Sequence, residues 1–248
     1  MTPSITVHQF PAVLGMQPSS FGLKLETWLR MSGQEHEVTS SIRELGPKGK
    51  VPFAKIDGKV MGDSELIIKH LLSQGVRCLE ADLDPRQRAK GILVRRLVEE
   101  HLYFVLVYSR WVDPDGWRGF QPLFFGPAPA LVRGFISKKV RKKVIASLAG
   151  QGIARHTPKE VYEKGQMDFL ALSTLLGERQ YFLGEGPTQT DASVYGLLAN
   201  LYYSPIKGPI QEMLKEHKNL IQFVERIKEK YWPNSELGGG DEERFVPN

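Results

Sequence analysis

Three pairs of residues in the first quarter of the chain have types and neighbours suited to chemistry. Ser19 and Ser20 end the loop Gln17-Pro18-Ser19-Ser20, which leads into a predicted helix. Unpaired backbone N–H groups and the helix dipole make such an end attractive to an anion, and a hydroxyl placed there can donate to a thiolate or an oxyanion. Val51-Pro52 opens a predicted strand. Proline cannot donate to the ladder, and a cis bond would leave the Val51 N–H and C=O to pair with an extended ligand. Asp63-Ser64 starts another helix, where a ligand carboxylate can rest on the Ser64 N–H and hydroxyl. Each pair also has a plainer use. Serine and aspartate cap helices, and a trans proline at a sheet edge is ordinary.

Other chemistries lack their residues. Cys78 is the only cysteine, so a Cys-x-x-Cys redox pair, an intramolecular disulfide and a cysteine-built zinc site are excluded. The six histidines are scattered, without a His-x-x-x-His pair, so no metal is expected. Glu99 and Glu100 are not a carboxylate dyad, because helix neighbours point about 100° apart. Arg95 and Arg96 stand four residues before them, which suggests surface ion pairs.

The elements that must position these pairs alternate over the first 75 residues. Residues 4–10 are β-rich. Phe21, Leu25, Trp28 and Leu29 make the apolar stripe of a helix that Gly33 stops. Residues 36–39 are a short strand candidate. Residues 51–56 and 59–61 flank Asp57-Gly58, a tight-turn dipeptide, and so predict a hairpin. The helix after Asp63-Ser64 carries Ile67, Ile68, Leu71 and Leu72. Strands 1 and 2, joined by a helix, should be parallel in a mixed four-stranded sheet.

Beyond a linker at 76–88 everything reads helical. Ala89, Leu93, Leu97, Phe104 and Tyr108 are expected on the buried face of one long helix, and residues 119–132, with three prolines, are expected to be a loop. A basic helix is expected over 133–148. Thr157-Pro158-Lys159-Glu160 is a full helix start, and Thr188-Gln189-Thr190-Asp191 is another. Phe169, Leu172 and Leu176 supply the buried stripe of the first. Pro209 and Pro233 bracket a last helical region. These signals divide the chain into a domain at 1–75, an all-helical domain at 86–232 and a mobile tail at 233–248.

The 248 residues are 41% hydrophobic and 25% charged, as in globular proteins. Net charge is +5, and the excess sits in Lys138-Lys139-Val140-Arg141-Lys142-Lys143. These charges interleave with Ile136, Val140, Val144 and Ile145. The pattern reads as a solvated helix face or as a weak contact, through residues 133–145, with an anionic membrane surface or an acidic partner. Charge elsewhere is balanced, so nucleic acid is not an expected partner. Residues 1–23 hold no Lys, Arg, Asp or Glu, but prolines interrupt them, and no targeting or spanning segment is expected. The expected location is cytoplasmic.

Four stretches, PSSFGLKLETWLRMSG, GKVPFAKIDGKVMGDSELIIKHL, KKVRKKVIASLAGQGIARHTPKEV and YFLGEGPTQTDASVYGLL, carry a resemblance. Together they resemble the glutathione S-transferase superfamily, in its metaxin and failed-axon-connections branch, over about residues 4–232. The resemblance implies a thioredoxin-like first domain, which is α+β, and an all-α second domain. That branch commonly shows Ser-Pro-Phe-Cys at the start of helix 1. Here Ser19-Ser20-Phe21-Gly22 aligns, so cysteine chemistry at that position is excluded.

The resemblance also implies roles. Ser19, or Ser20 one residue on, faces the sulfur of glutathione. Val51, before a cis-Pro52, pairs its backbone with the cysteinyl unit. Asp63 and Ser64 bind the γ-glutamyl end. Lys50 lies beside the site as a cation for a carboxylate or as a solvated lysine. The implied chemistry is electrostatic. A free thiol has a pKa near 8.5, and lowering it by about two units takes roughly 2.7 kcal/mol of thiolate stabilisation. The thiolate then attacks an electrophile held by the helical domain, with Tyr103, Tyr108, Trp111 and Trp117 as pocket or core aromatics. Superfamily members are usually dimeric, so a homodimer is expected. The rival implied by the same branch is a non-catalytic binding or scaffolding protein of the metaxin type that keeps the fold.

Overall fold

A computed structural model describes residues 3–14 and 16–233. The expected tail at 233–248 falls, except for Pro233, outside the described residues.

The first part is a mixed sheet covered by two helices. Its elements are β1 (Ile5–Gln9), α1 (Ser20–Met31), β2 (Glu37–Ser40), β3 (Phe53–Ile56), β4 (Lys59–Gly62) and α2 (Ser64–Ser73). Strand order is β2-β1-β3-β4. β1 and β2 are parallel, as a helical crossover requires, and β3 and β4 form the antiparallel hairpin. Asp57 and Gly58 both have positive φ, the backbone of a tight hairpin turn.

All the elements after α2 are helical. They are α3 (Pro85–Leu97), a π-helical turn (Val98–Leu102), α4 (Tyr103–Trp111), α5 (Pro114–Phe125), α6 (Ala130–Gln151), a 3₁₀ turn (Ile153–Arg155), α7 (Pro158–Leu176), α8 (Gln189–Tyr202), α9 (Pro209–Lys215) and α10 (Lys218–Tyr231). Both Thr-led starts are complete capping boxes, at Thr157–Glu160 and Thr188–Asp191. Phe169, Leu172 and Leu176 are fully buried.

The two parts meet on α1 and α8. A Cβ on Gly196 of α8 would lie 2.5 Å from the Ser20 carbonyl oxygen, so only glycine allows this approach. α1 is thereby enclosed between sheet and helix. Even Lys24 and Glu26 are buried on it, beside Leu25 and Trp28.

Two expectations are corrected. The long helix is broken by the π turn and buries a different face. Ala89 and Leu93 are exposed, Leu93 by 70%, while Gly91, Val94, Val98 and Leu102 are buried. Gly91 lets the helix sit on Leu183 and Thr190, and the extra residue of the π turn shifts the register between Leu97 and Phe104. The expected loop at 119–132 is mostly helix. Asp113 caps α5 by accepting from Asp115 and Gly116, with Pro114 at its first turn. Pro122 lies on the solvent side of α5, where water can take the bond that proline cannot donate.

Candidate functional site

The sheet brings the three pairs to one end. Phe53 pairs with His8 of β1 and with Gly62 of β4. Val51-Pro52 therefore enters β3 beside the point where β4 runs into Asp63-Ser64. β1 leaves the sheet at the same end and leads through the loop to Ser19.

Ser19 is the N-cap of α1. Its backbone is extended, and its Oγ accepts from the Gly22 N–H at 3.2 Å. Acceptance through the oxygen leaves the hydroxyl proton available to donate outward. Ser19 is half-buried, and no acidic residue stands in the first turn of α1 to offset the helix dipole. Ser20 turns elsewhere. It is buried, its Oγ has no hydrogen-bond partner, and it lines a small cavity with Phe21, Lys24, Glu99 and Ser193 against the helical part.

The Val51–Pro52 peptide is cis. Val51 precedes the ladder, which begins at Phe53, so no strand partner takes its N–H and C=O. Asp63 caps α2, accepting from Glu65 and Leu66 at 3.0 and 3.3 Å. Its φ of 84° is rare for a residue other than glycine. Ser64 is buried directly behind it. Lys50 is exposed, and the lysine that reaches Asp63 is Lys48, at 3.4 Å. Sequence reasoning missed Lys48; the tight turn in which Gly49 donates to Gly46 has no periodic signal.

The helical part supplies the support behind Ser19. Asn200 of α8 donates to the Gln17 carbonyl at 3.0 Å, and Arg110 of α4 donates to the Pro18 carbonyl at 3.2 Å. Gln17 itself accepts from the Ser19 N–H and donates to the Phe10 carbonyl. Burial pushes the Arg110 guanidinium down to about 10, against a favourable effect of Tyr103, so it stays charged at neutral pH. Neither Arg110 nor Asn200 stood out in the sequence, because these bonds span more than 90 residues of chain.

Glu99 is the clearest correction. It is buried, not part of a surface pair, and accepts from Lys24 of α1 and from Ser193 of α8, both at 2.7 Å. Arg95 and Arg96 turn to Glu65 instead, and Arg95 also to Glu80. Of the four expected aromatics, Tyr108 and Trp111 are core, Trp111 packing on Phe120 and Phe125. Tyr103 is half-buried beside Phe21 of α1, with ring centroids 4.9 Å apart. Among the described residues no cluster of His, Cys, Asp or Glu fits a metal.

Family models agree with this architecture. Residues 20–116 match the glutathione S-transferase N-terminal domain, and residues 165–227 match the glutathione S-transferase C-terminal domain. The chain belongs to the glutathione S-transferase superfamily. It is 29% identical over 235 residues to isoprene-epoxide glutathione S-transferase of Rhodococcus sp. (strain AD45), covering 92% of this chain and 99% of that one. It is 31% identical over 246 residues to Failed axon connections of Drosophila melanogaster, covering 93% of this chain and 58% of that longer protein. Among solved structures, the β-etherase LigF of Sphingobium sp. strain SYK-6 superposes with a TM-score of 0.65 at 18% identity, over 95% of this chain and 100% of that one. In this superfamily member, the Ser19 turn is bonded to Phe10, the residue that follows β1, and to the helical part.

Proposed function

We propose that the chain is a glutathione transferase that activates the glutathione thiol for attack on a small electrophile. The observation that carries this reading is Ser19. Its hydroxyl caps α1 through the oxygen, keeps its proton to donate, and stands at a helix N-terminus with a buried cation one residue behind it. A thiolate there gains a charge-assisted O–H···S⁻ bond and the helix dipole. Val51 offers its backbone to the cysteinyl unit. Ser64, Asp63 and the Asp63-bound Lys48 offer a hydroxyl, a carboxylate and an ammonium to the γ-glutamyl end, with Lys50 at the rim.

No metal takes part in this scheme. The chemistry suits the cytoplasm, where glutathione is reduced. Leu66, Ile92 and Leu93 leave an apolar strip exposed on α2 and α3, which fits the expected homodimer. A doubled mass in sedimentation, reduced to the monomer by Leu93→Glu, checks that part.

Thiolate absorbance against pH, in the glutathione-saturated protein, tests the activity. The bound thiol should titrate well below its value in free solution. Ser19→Ala should raise that titration by about one to two units, the worth of a charge-assisted hydrogen bond. Ser20→Ala should leave it in place.

A second reading is a binding or scaffolding protein of the metaxin type that keeps the fold. The 31% identity to Failed axon connections favours it. A thiol that binds but titrates as in free solution would select it.

A further inference from the structure

Helix α6 separates its outward residues along its axis. Ser137, Val140, Val144 and Leu148 face the core side. Arg141, expected on the cationic face, also turns inward. It donates to the Trp111 and Val112 carbonyls and lies over the Trp117 ring. The outward residues begin apolar. Leu131 is 99% exposed, Phe135 72%, and Val132 and Ile136 about half as much. Then Lys138, Lys139, Lys142 and Lys143 follow, all exposed. Positions 131, 135, 138 and 142 form one helical stripe, and 132, 136, 139 and 143 the stripe beside it. The first half of this face is therefore oily and the second cationic.

Scattered exposed leucines need no explanation, but four large apolar side chains on two turns of one helix do. Charge points to what covers them. Residues 116–159 contain nine Lys and Arg and not one Asp or Glu, in a chain whose net charge is +5. The rest of the molecule is therefore net negative, and the cationic field belongs to this end. The apolar residues stand exposed at the helix start, Leu131 almost completely, so they suit a medium that takes up an exposed apolar face. With a rise of about 1.5 Å per residue, Lys138 and Lys142 lie roughly 10 and 16 Å along the axis from Leu131. An interfacial apolar face enters a bilayer by about 5–10 Å. A helix dipping its first two turns that far holds its lysines at the level of lipid phosphates.

We propose that the start of α6 is a peripheral membrane contact for anionic bilayers. Leu131, Val132, Phe135 and Ile136 enter the interface, and Lys138, Lys139, Lys142 and Lys143 meet the headgroups. Among the described residues no helix is long and apolar enough to cross a membrane, so the contact lies on the surface. It is independent of the glutathione reading, because none of these residues belongs to the Ser19 site.

The test is sedimentation of the full chain with vesicles of phosphatidylcholine alone or with about 30 mol% phosphatidylserine, in low and high salt. The protein should partition onto the anionic vesicles, and high salt should release it. Replacing the four lysines by glutamine should weaken binding by about fivefold per lysine. Leu131→Ser with Phe135→Ser should weaken it by about tenfold or more. All these positions are exposed, and an unchanged melting temperature verifies the fold of each variant. The Phe135→Trp variant should shift its emission to the blue on anionic vesicles, which reports entry and not adsorption alone. No partition, equal partition onto both vesicles, or an emission that does not move would overturn the proposal. The first result would leave an acidic protein as the occupant, and the second a charge-independent apolar contact.

Discussion

The Arg110 guanidinium donates to the Pro18 carbonyl oxygen at 3.2 Å and to the Asn200 carbonyl oxygen at 2.7 Å. One buried cation thus ties the turn before Ser19 to the end of α8. It also donates to the Asn200 side-chain oxygen at 3.3 Å and lies 5.9 Å from the Phe120 ring centroid, so its charge is met by carbonyl dipoles and an aromatic face and, among the described residues, by no carboxylate hydrogen bond. Such a charge is costly to bury. In the proposed reaction it would act on the thiol through Ser19, as a positioning residue. Arg110→Met leaves two carbonyls without their donor, a loss of about 1.5–3 kcal/mol for a bond to a charged group. Turnover should fall by about tenfold or more, as small displacements of a reacting group do. The KM for glutathione should change less, and the bound thiol should titrate higher. Arg110→Lys should restore part of the titration. Steady-state kinetics with thiolate absorbance decide it, and an unmoved titration in a folded Arg110→Met protein would reduce Arg110 to packing.

The Lys24–Glu99 pair joins α1 to the π turn, with 1% and 8% of the side chains exposed. Breaking such a pair from one side strands a buried charge, at about 3–5 kcal/mol, whereas replacing both partners by apolar residues is often neutral. Lys24→Met should therefore destabilise strongly, and Glu99→Leu in the same chain should recover much of the loss. Urea denaturation of the two single variants and the double variant forms the cycle. Additive losses would show that the two charges act independently.

These two relationships mark where the sequence stopped being informative. Strand and helix order, the hairpin turn, the parallel first pair and the caps at Asp63, Thr157 and Thr188 were all legible, because each depends on residues within a few positions. The resemblance named Ser19, Val51, Asp63 and Ser64 together, and the strand register carries the elements that bear them to one end of the sheet. Which serine faces outward was not legible. Ser20 is buried where α8 packs on α1 at Gly196, far along the chain. Arg110, Asn200 and Glu99 meet their partners only after the two parts dock. The π turn hid the buried face of α3, since a period of 3.6 does not survive an inserted residue. The start of α5 was legible and overlooked. Asp113-Pro114 has the same cap-and-proline form as Thr157-Pro158, but the prolines that followed suggested a loop.

His101, on the π turn, hydrogen-bonds Asp168 of α7. That bond raises the imidazole above its ordinary value, against partial burial and with help from the Asp168 charge. A base raised in the folded state adds stability that is complete below the unfolded value of about 6.5 and is lost as pH climbs through the folded value. His101 is more than a third exposed, which limits the effect to about 1 kcal/mol or less. Melting temperature should therefore fall from about pH 6.5 upward, and more steeply in the wild type than in Asp168→Asn. Parallel curves for the two proteins would mean that the pair does not couple to folding.

The proposed γ-glutamyl end of the site can be dissected because Ser64 is a ligand group only, whereas Asp63 is both the cap of α2 and a ligand group. Asp63 caps α2, so Ser64→Ala removes a hydroxyl without removing the cap. It should weaken glutathione binding by about 1–2 kcal/mol while the melting temperature stays put. Asp63→Ala should lose both, with about 1 kcal/mol of stability from the missing cap and more from alanine at a φ of 84°. Asp63→Asn separates the two effects. Asparagine tolerates positive φ and its carbonyl can accept from Glu65 and Leu66, so the fold should hold. What it lacks is the charge for the ligand's ammonium, so affinity should still drop. Calorimetric titration with glutathione, beside thermal denaturation of each variant, reads both quantities. If Ser64→Ala and Asp63→Asn are folded and bind as tightly as the wild type, the γ-glutamyl end lies elsewhere.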